Sequence, residues 1–112
     1  MKITYATKNV EKYFTNYTLM QKRLSLAWVR TIKKHINHLE AAITFGDFLT
    51  LGLGKPESLS GYENITYSLR VTANVRLIFE LKTISESIES CTEIEVKGVC
   101  DYHGRKQNWY IS

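Results

Sequence analysis

Few residues in this chain point away from an ordinary globule. One proline and six glycines in 112 residues exclude collagen-like chains and proline-rich linkers. Two cysteines, Cys91 and Cys100, are too few for a disulfide framework. Runs of large apolar residues such as Leu77-Ile78-Phe79 stop at three, far short of a membrane span, and no membrane association is expected. The opening Met1-Lys2-Ile3-Thr4-Tyr5-Ala6 lacks the apolar stretch of an export signal, so a cytoplasmic protein with reduced thiols is expected. On that expectation the glycosylation sequons at Asn16 and Asn64 are coincidences. Internal repeats and low-complexity stretches are missing as well.

What is present suits one domain over residues 1–112, with 44% hydrophobic and 23% charged residues. The net charge of +4 is unevenly spread. Residues 1–40 carry eight Lys or Arg against two Glu, whereas residues 80–101 carry two Lys against six acids. A basic body attracts polyanions or acidic protein segments.

The pattern predicts a first strand over Lys2 to Tyr5 and a short helix over Lys8 to Tyr13. A long helix follows from about Thr18 to Ala42, because Met20, Leu24, Trp28, Ile32, Ile36, Leu39 and Ile43 recur at three- and four-residue steps. Arg23, Arg30 and Lys34 fall on another face of it. That stripe is either a solvated face or a contact for a polyanion or an acidic protein segment. Gly46 and Asp47 close the helical region, with at most one more turn at Phe48, and Gly52, Gly54 and Pro56 mark a loop over residues 51–61. The period then drops to two. Strands are expected over residues 65–71, 75–81 and 93–103, with a polar connection at 82–93 and a tail anchored by Trp109, Tyr110 and Ile111. The expectation is an α+β fold: an antiparallel meander with the N-terminal helices packed on one sheet face.

Loop arithmetic sets the register of the central hairpin. A two-residue loop at Ala73-Asn74 would oppose Val71 to Arg76 and mismatch the faces. A three-residue loop, Thr72 to Asn74, pairs Val71 with Val75, Leu69 with Leu77 and Tyr67 with Phe79, with Asn74 expected in a left-handed conformation. Arg70 then stands opposite Arg76 on the face away from the helices. Like charges so opposed are destabilising. Either both fan out into solvent or they hold an anion such as phosphate, which guanidinium forks match bidentately. Simple alternation along the last strand puts His103 on the arginine face and Tyr102 in the core. His35 and His38 read as surface residues, and no His or Cys set has a metal-binding spacing, so no metal or cofactor is expected.

Leu53-Gly54-Lys55-Pro56, Leu59-Ser60-Gly61, Tyr67-Ser68-Leu69-Arg70, Asn74-Val75-Arg76-Leu77-Ile78-Phe79 and Asp101-Tyr102-His103 together resemble the HigB-like branch of the RelE/ParE toxin superfamily. The resemblance implies a microbial-RNase-like fold and a type II toxin that cuts mRNA without metal, commonly on the ribosome. It implies a HigA-like helix-turn-helix antitoxin, with the toxin–antitoxin complex a heterotetramer. Carried over by position, Arg70, Arg76, Asp101, Tyr102 and His103 match the site residues, and Lys55 matches a basic loop position. In that reading the arginines hold the scissile phosphate, His103 transfers a proton and Lys55 grips a neighbouring phosphate. Tyr102, if turned outward, stacks on a base. Asp101 either orients His103 or ends the strand. Glu80 is open between base and salt-bridge partner, and the base itself between His103, Glu80 and Asp101. The chain runs nine residues past His103, and its 82–93 loop has no counterpart in the resemblance. Two alternatives stay open: a ParE-like toxin acting on gyrase, and a non-enzymatic nucleic-acid or protein-binding module.

Overall fold

Each helix begins where a polar side chain takes up an unpaired backbone N–H. Thr7 caps α1 (Lys8–Phe14), Asn16 the single turn α2 (Tyr17–Met20), Ser25 the long α3 (Leu26–Ala41), and Thr44 α4 (Phe45–Thr50). The computed structural model describes residues 1–103 and 106–112, with His103 by its backbone alone.

These caps correct the expectation of one helix over residues 18–42. Ser25 is extended and its hydroxyl accepts the Trp28 N–H at 3.3 Å, which ends one helical segment and starts the next. Because α3 stops at Ala41, Ile43 leaves the apolar stripe and is 77% exposed. The extra turn at Phe48 is a full short helix, α4.

Among the described residues the sheet has six strands: β1 (Lys2–Tyr5), β2 (Glu57–Leu59), β3 (Thr66–Arg70), β4 (Val75–Leu81), β5 (Glu93–His103) and β6 (Lys106–Ile111). Their order is β1-β5-β4-β3-β2, with β6 also paired to β5. Three features go beyond the expected meander. The first strand runs parallel to β5, pairing Ile3 with Ile94 and Tyr5 with Val96. The 51–61 loop contains β2, antiparallel to β3. The tail returns along the outer half of β5 as β6. Among the described residues no helix is long and apolar enough to cross a membrane.

The helices cover one face. Val10, Ile32, Leu39, Phe45 and Phe48 pack against Leu69, Leu77, Phe79, Ile94, Val96 and Val99, all fully buried. Phe45 anchors the contact, edge-on to Tyr67 at 4.8 Å and to Phe79 at 6.0 Å.

The hairpin has the predicted register, with Tyr67 opposite Phe79, Leu69 opposite Leu77 and Arg70 opposite Arg76. Its turn differs from the expected one, since Asn74 is not left-handed. The Val75 carbonyl accepts the N–H groups of both Val71 (2.8 Å) and Thr72 (3.1 Å). The Thr72 hydroxyl accepts those of Asn74 and Val75. A threonine side chain thus does the work assigned to a left-handed residue.

The largest correction lies in β5. Ile78 pairs with Gly98 but Phe79 pairs with Val96, leaving Lys97 as the extra residue of a β-bulge. Beyond it the parity reverses. Val99, opposite Leu77, faces the helices, as does the Asp101 position opposite Val75. Cys100, opposite Arg76, lies on the other face, and Tyr102 shares its parity.

Candidate nucleic-acid interface

Arg70 and Arg76 end the two central strands side by side on the sheet face away from the helices, Arg70 exposed and Arg76 half-buried. Part of their mutual repulsion is absorbed locally. One Nη of Arg76 donates to the Thr72 carbonyl at 2.8 Å and the Val75 carbonyl at 3.3 Å, drawing that guanidinium toward the turn. The result is a pair of planar cations, one fixed by the turn and one at the surface, suited to a phosphate.

The backbone of Arg70 is held from both sides. Its N–H donates to the Gly54 carbonyl at 2.8 Å, and its carbonyl meets His35 Nε2 at 2.7 Å. His35 is therefore a buried residue of α3, not the surface residue expected. Burial lowers its pKa, more than the bond to the Arg70 carbonyl raises it. A Cβ on Gly54 would sit 3.0 Å from the imidazole Cε1, so this closeness needs glycine, which has φ +73°. The same crossing sets exposed Lys55 next in the chain to the residue bonded to Arg70. Lys55 is the only non-glycine with positive φ among the described residues, at 47°. His35 lies three residues from Ile32 and four from Leu39, a spacing that already placed it on the inner face.

On β5 the bulge exchanges the predicted roles. Half-buried Tyr102 joins the arginine face, and its N–H donates to the Asn74 carbonyl at 2.8 Å, tying it to the hairpin turn. The alternation that put His103 there and Tyr102 in the core fails at Lys97; the His103 side chain itself lies outside the described residues. Asp101 accepts from the Tyr110 hydroxyl at 3.5 Å, and Tyr110 packs edge-on to Trp28 of α3, which puts that carboxylate toward the helices. Burial and the Asp101 charge raise the Tyr110 phenol above its ordinary pKa. Cys100 is fully buried opposite Arg76, and burial pushes its thiol up to about 11.

The second face is not bare. Thr66, Ser68, Ile78 and Cys100 lie on it by register and are all buried. Something must cover them. The Gln107 amide of β6 donates to the Tyr62 hydroxyl, so the segment between β2 and β3 reaches across this face. Toward the other end of the face Glu80 sits between Lys82 and Lys97, each at 3.1 Å, and Lys82 also meets Glu95 at 2.8 Å. Burial pushes the Glu80 carboxyl upward, but the hydrogen bonds and charges of the two lysines prevail and hold it below its ordinary value. Glu80 is thus a salt-bridge partner. Among the described residues no group of three or more His, Cys, Asp or Glu is placed to hold a metal ion.

The whole arrangement sits on a known scaffold. No family model and no curated protein matches the sequence. The chain is similar to a solved structure, the YoeB/ParE toxin from Agrobacterium tumefaciens, at 23% identity and a TM-score of 0.56, covering 92% of this chain and 99% of that one. The fold is that of a YoeB/ParE toxin.

The remaining predicted residues are dispersed over this toxin fold. Arg30 and Lys34 lie exposed along α3, one turn apart. Arg23 precedes that helix, so the three-residue stripe breaks. Its guanidinium donates to the Tyr13 hydroxyl at 3.2 Å and to the Tyr110 carbonyl at 3.1 Å, pinning the tail. A groove of about 330 Å³ at the carboxyl end of α3, lined by His38, Ala42, Ile43 and Leu51, holds none of the predicted residues. The sequence reading missed His35, Tyr62 and Gln107. Only His35 had a periodic signal to reveal it.

Proposed function

We propose that this protein is a type II toxin of the RelE/ParE superfamily that acts as an mRNA endoribonuclease on the translating ribosome. The observation that supports this most is the opposed Arg70–Arg76 pair, with Lys55 and Tyr102 gathered at the same end of the sheet. Opposed cations beside an aromatic ring suit a phosphate and its attached base.

In the proposed reaction the ribose 2′-oxygen attacks the adjacent phosphorus in line with the departing 5′-oxygen. The 2′ proton passes to water, and His103, whose place in β5 has the parity of Asp101, must turn its imidazole around the end of the strand to donate a proton to the 5′-oxygen; a 2′,3′-cyclic phosphate and a 5′-hydroxyl end result. Arg70 and Arg76 carry the charge that builds on phosphorus. Tyr102 stacks on a base, and Lys55 grips the next phosphate. Arg30 and Lys34 contribute long-range attraction to ribosomal RNA, whereas Arg23 serves the tail. Glu80, bound by two lysines, and Asp101, bound by Tyr110, are poor candidates for the base. Activity requires no metal in this reading, and a HigA-like antitoxin restrains it in a heterotetrameric complex.

Arg70→Ala and His103→Ala should each lower mRNA cleavage in a translation extract by about 10²–10³-fold, with circular dichroism unchanged. Arg70 is the cleaner arginine to remove, since Arg76 also braces the turn. Undiminished cutting by both variants would refute the assignment. A gyrase-directed toxin is the second reading, supported by the solved relative's double name. Broken DNA with intact mRNA after expression would favour it.

A further inference from the structure

The contact between Tyr62 and Gln107 joins segments 45 residues apart and belongs to none of the motifs discussed above. Gln107 is the register partner of Tyr102 across β5 and β6. Tyr62 precedes β3, and β6 lies three strand spacings from β3, about 14 Å at ordinary separation. For the phenol and the amide to meet, the Tyr62 side chain must reach over the second face toward Tyr102. All three side chains are half-buried, so each keeps surface for a ligand.

The position fits the arginine pair. Cys100 stands opposite Arg76, and Tyr102 is the next residue of the same parity. Diagonal neighbours on one sheet face stand about 7–8 Å apart, a span one nucleotide covers between its phosphate and a base. One amide hydrogen of Gln107 is used on Tyr62, which fixes the amide plane. The remaining N–H and the carbonyl oxygen form a donor–acceptor edge of the kind that reads a base. The rings of Tyr62 and Tyr102 supply stacking surface beside it.

We infer that Tyr62 and Gln107 form, with Tyr102, a subsite for one unpaired nucleobase beside the scissile phosphate, and that Gln107 determines which base is accepted. The inference rests on the ribonuclease reading above. Tyr62 acts as a positioning residue for the amide.

The test maps the RNA ends produced by the purified chain in a translation extract supplied with messages of varied codon content. Wild type should enrich one base at one fixed position beside the cut. Gln107→Ala should reduce that enrichment roughly tenfold while cutting continues. Tyr62→Phe, which keeps the ring and removes the hydroxyl, should weaken it less. Gln107→Glu, which replaces a donor with an acceptor, should change the preferred base. Melting curves identify any variant that fails to fold, and Tyr62→Phe, the mildest change, then carries the test. Cutting with no enriched base, or with the wild-type profile retained in all folded variants, overturns the inference and leaves the ribonuclease reading standing. Absence of cutting by wild type overturns both.

Discussion

Replacing Gly98 with alanine should destabilise the fold far more than the same change at Gly52. Both glycines have positive φ, +143° and +66°, so both substitutions strain the backbone, and space separates the two sites further. A Cβ at position 98 would lie 1.9 Å from the Ile111 carbonyl oxygen, 2.9 Å from its carbon and 3.2 Å from Ser112 Cα, whereas a Cβ at position 52 meets nothing within 4 Å. Ordinary contact begins near 3.4 Å, so the end of β6 must retreat by about 1.5 Å, the difference between 3.4 and 1.9 Å. That retreat loosens the Ile111 side chain, which is 1% exposed. Losing its burial altogether would cost about 1.5–3 kcal/mol, so partial loss costs at most that, and the strained φ adds about 1–3 kcal/mol. A total near 3–5 kcal/mol is a large part of the roughly 5–15 kcal/mol expected for a domain of this size. At about 4 °C per kcal/mol, the melting midpoint should fall by some 12–20 °C. Gly52→Ala should cost about 1 kcal/mol, a few degrees. Urea and thermal denaturation of both variants measure the contrast. A loss below about 1 kcal/mol at Gly98, or equal losses at both sites, would refute the reasoning.

Two further predictions concern buried titratable groups. His35 has a folded pKa below its ordinary 6.5, so its contribution to stability is complete above that pH and is lost as pH falls through the folded value. His35→Gln keeps an N–H for the Arg70 carbonyl but cannot titrate, and its midpoint should fall less between pH 8 and pH 5 than that of wild type. An identical pH slope would exclude His35 as the source. Glu80→Gln should cost about 1–2 kcal/mol in urea denaturation at pH 7, less than a fully buried pair because both lysines are partly exposed. Since the Glu80 carboxyl is held below its ordinary 4.5, the difference should close as pH drops below 4.5 through the folded value. A gap that persists in acid would mean that shape, not charge, accounts for the loss.

The parts of the fold legible in the sequence were those with strict local periodicity. The strand from Glu93 to His103 appears with the expected bounds, and parity matching across a short loop placed Arg70 against Arg76. The face swap at the end of β5 was not legible by alternation, because one extra residue at Lys97 reverses every side chain after it. The signal was present in Gly98, since an isolated glycine in a strand often marks a bulge. The break at Ser25 was hidden for a similar reason: apolar spacing continued through a capped turn. The Tyr62–Gln107 contact had no sequence signal, because it depends on how a loop crosses a finished sheet.

Lys55 carries a consequence for anyone who tries to harden this protein. A side chain in the left-handed region costs about 1–2 kcal/mol relative to glycine, and Lys55 bears that cost in the open beside Arg70. A screen for heat resistance would favour glycine or asparagine there and silently discard a cation from the proposed phosphate-binding surface. Selection for robustness and selection for grip would therefore pull this one position in opposite directions.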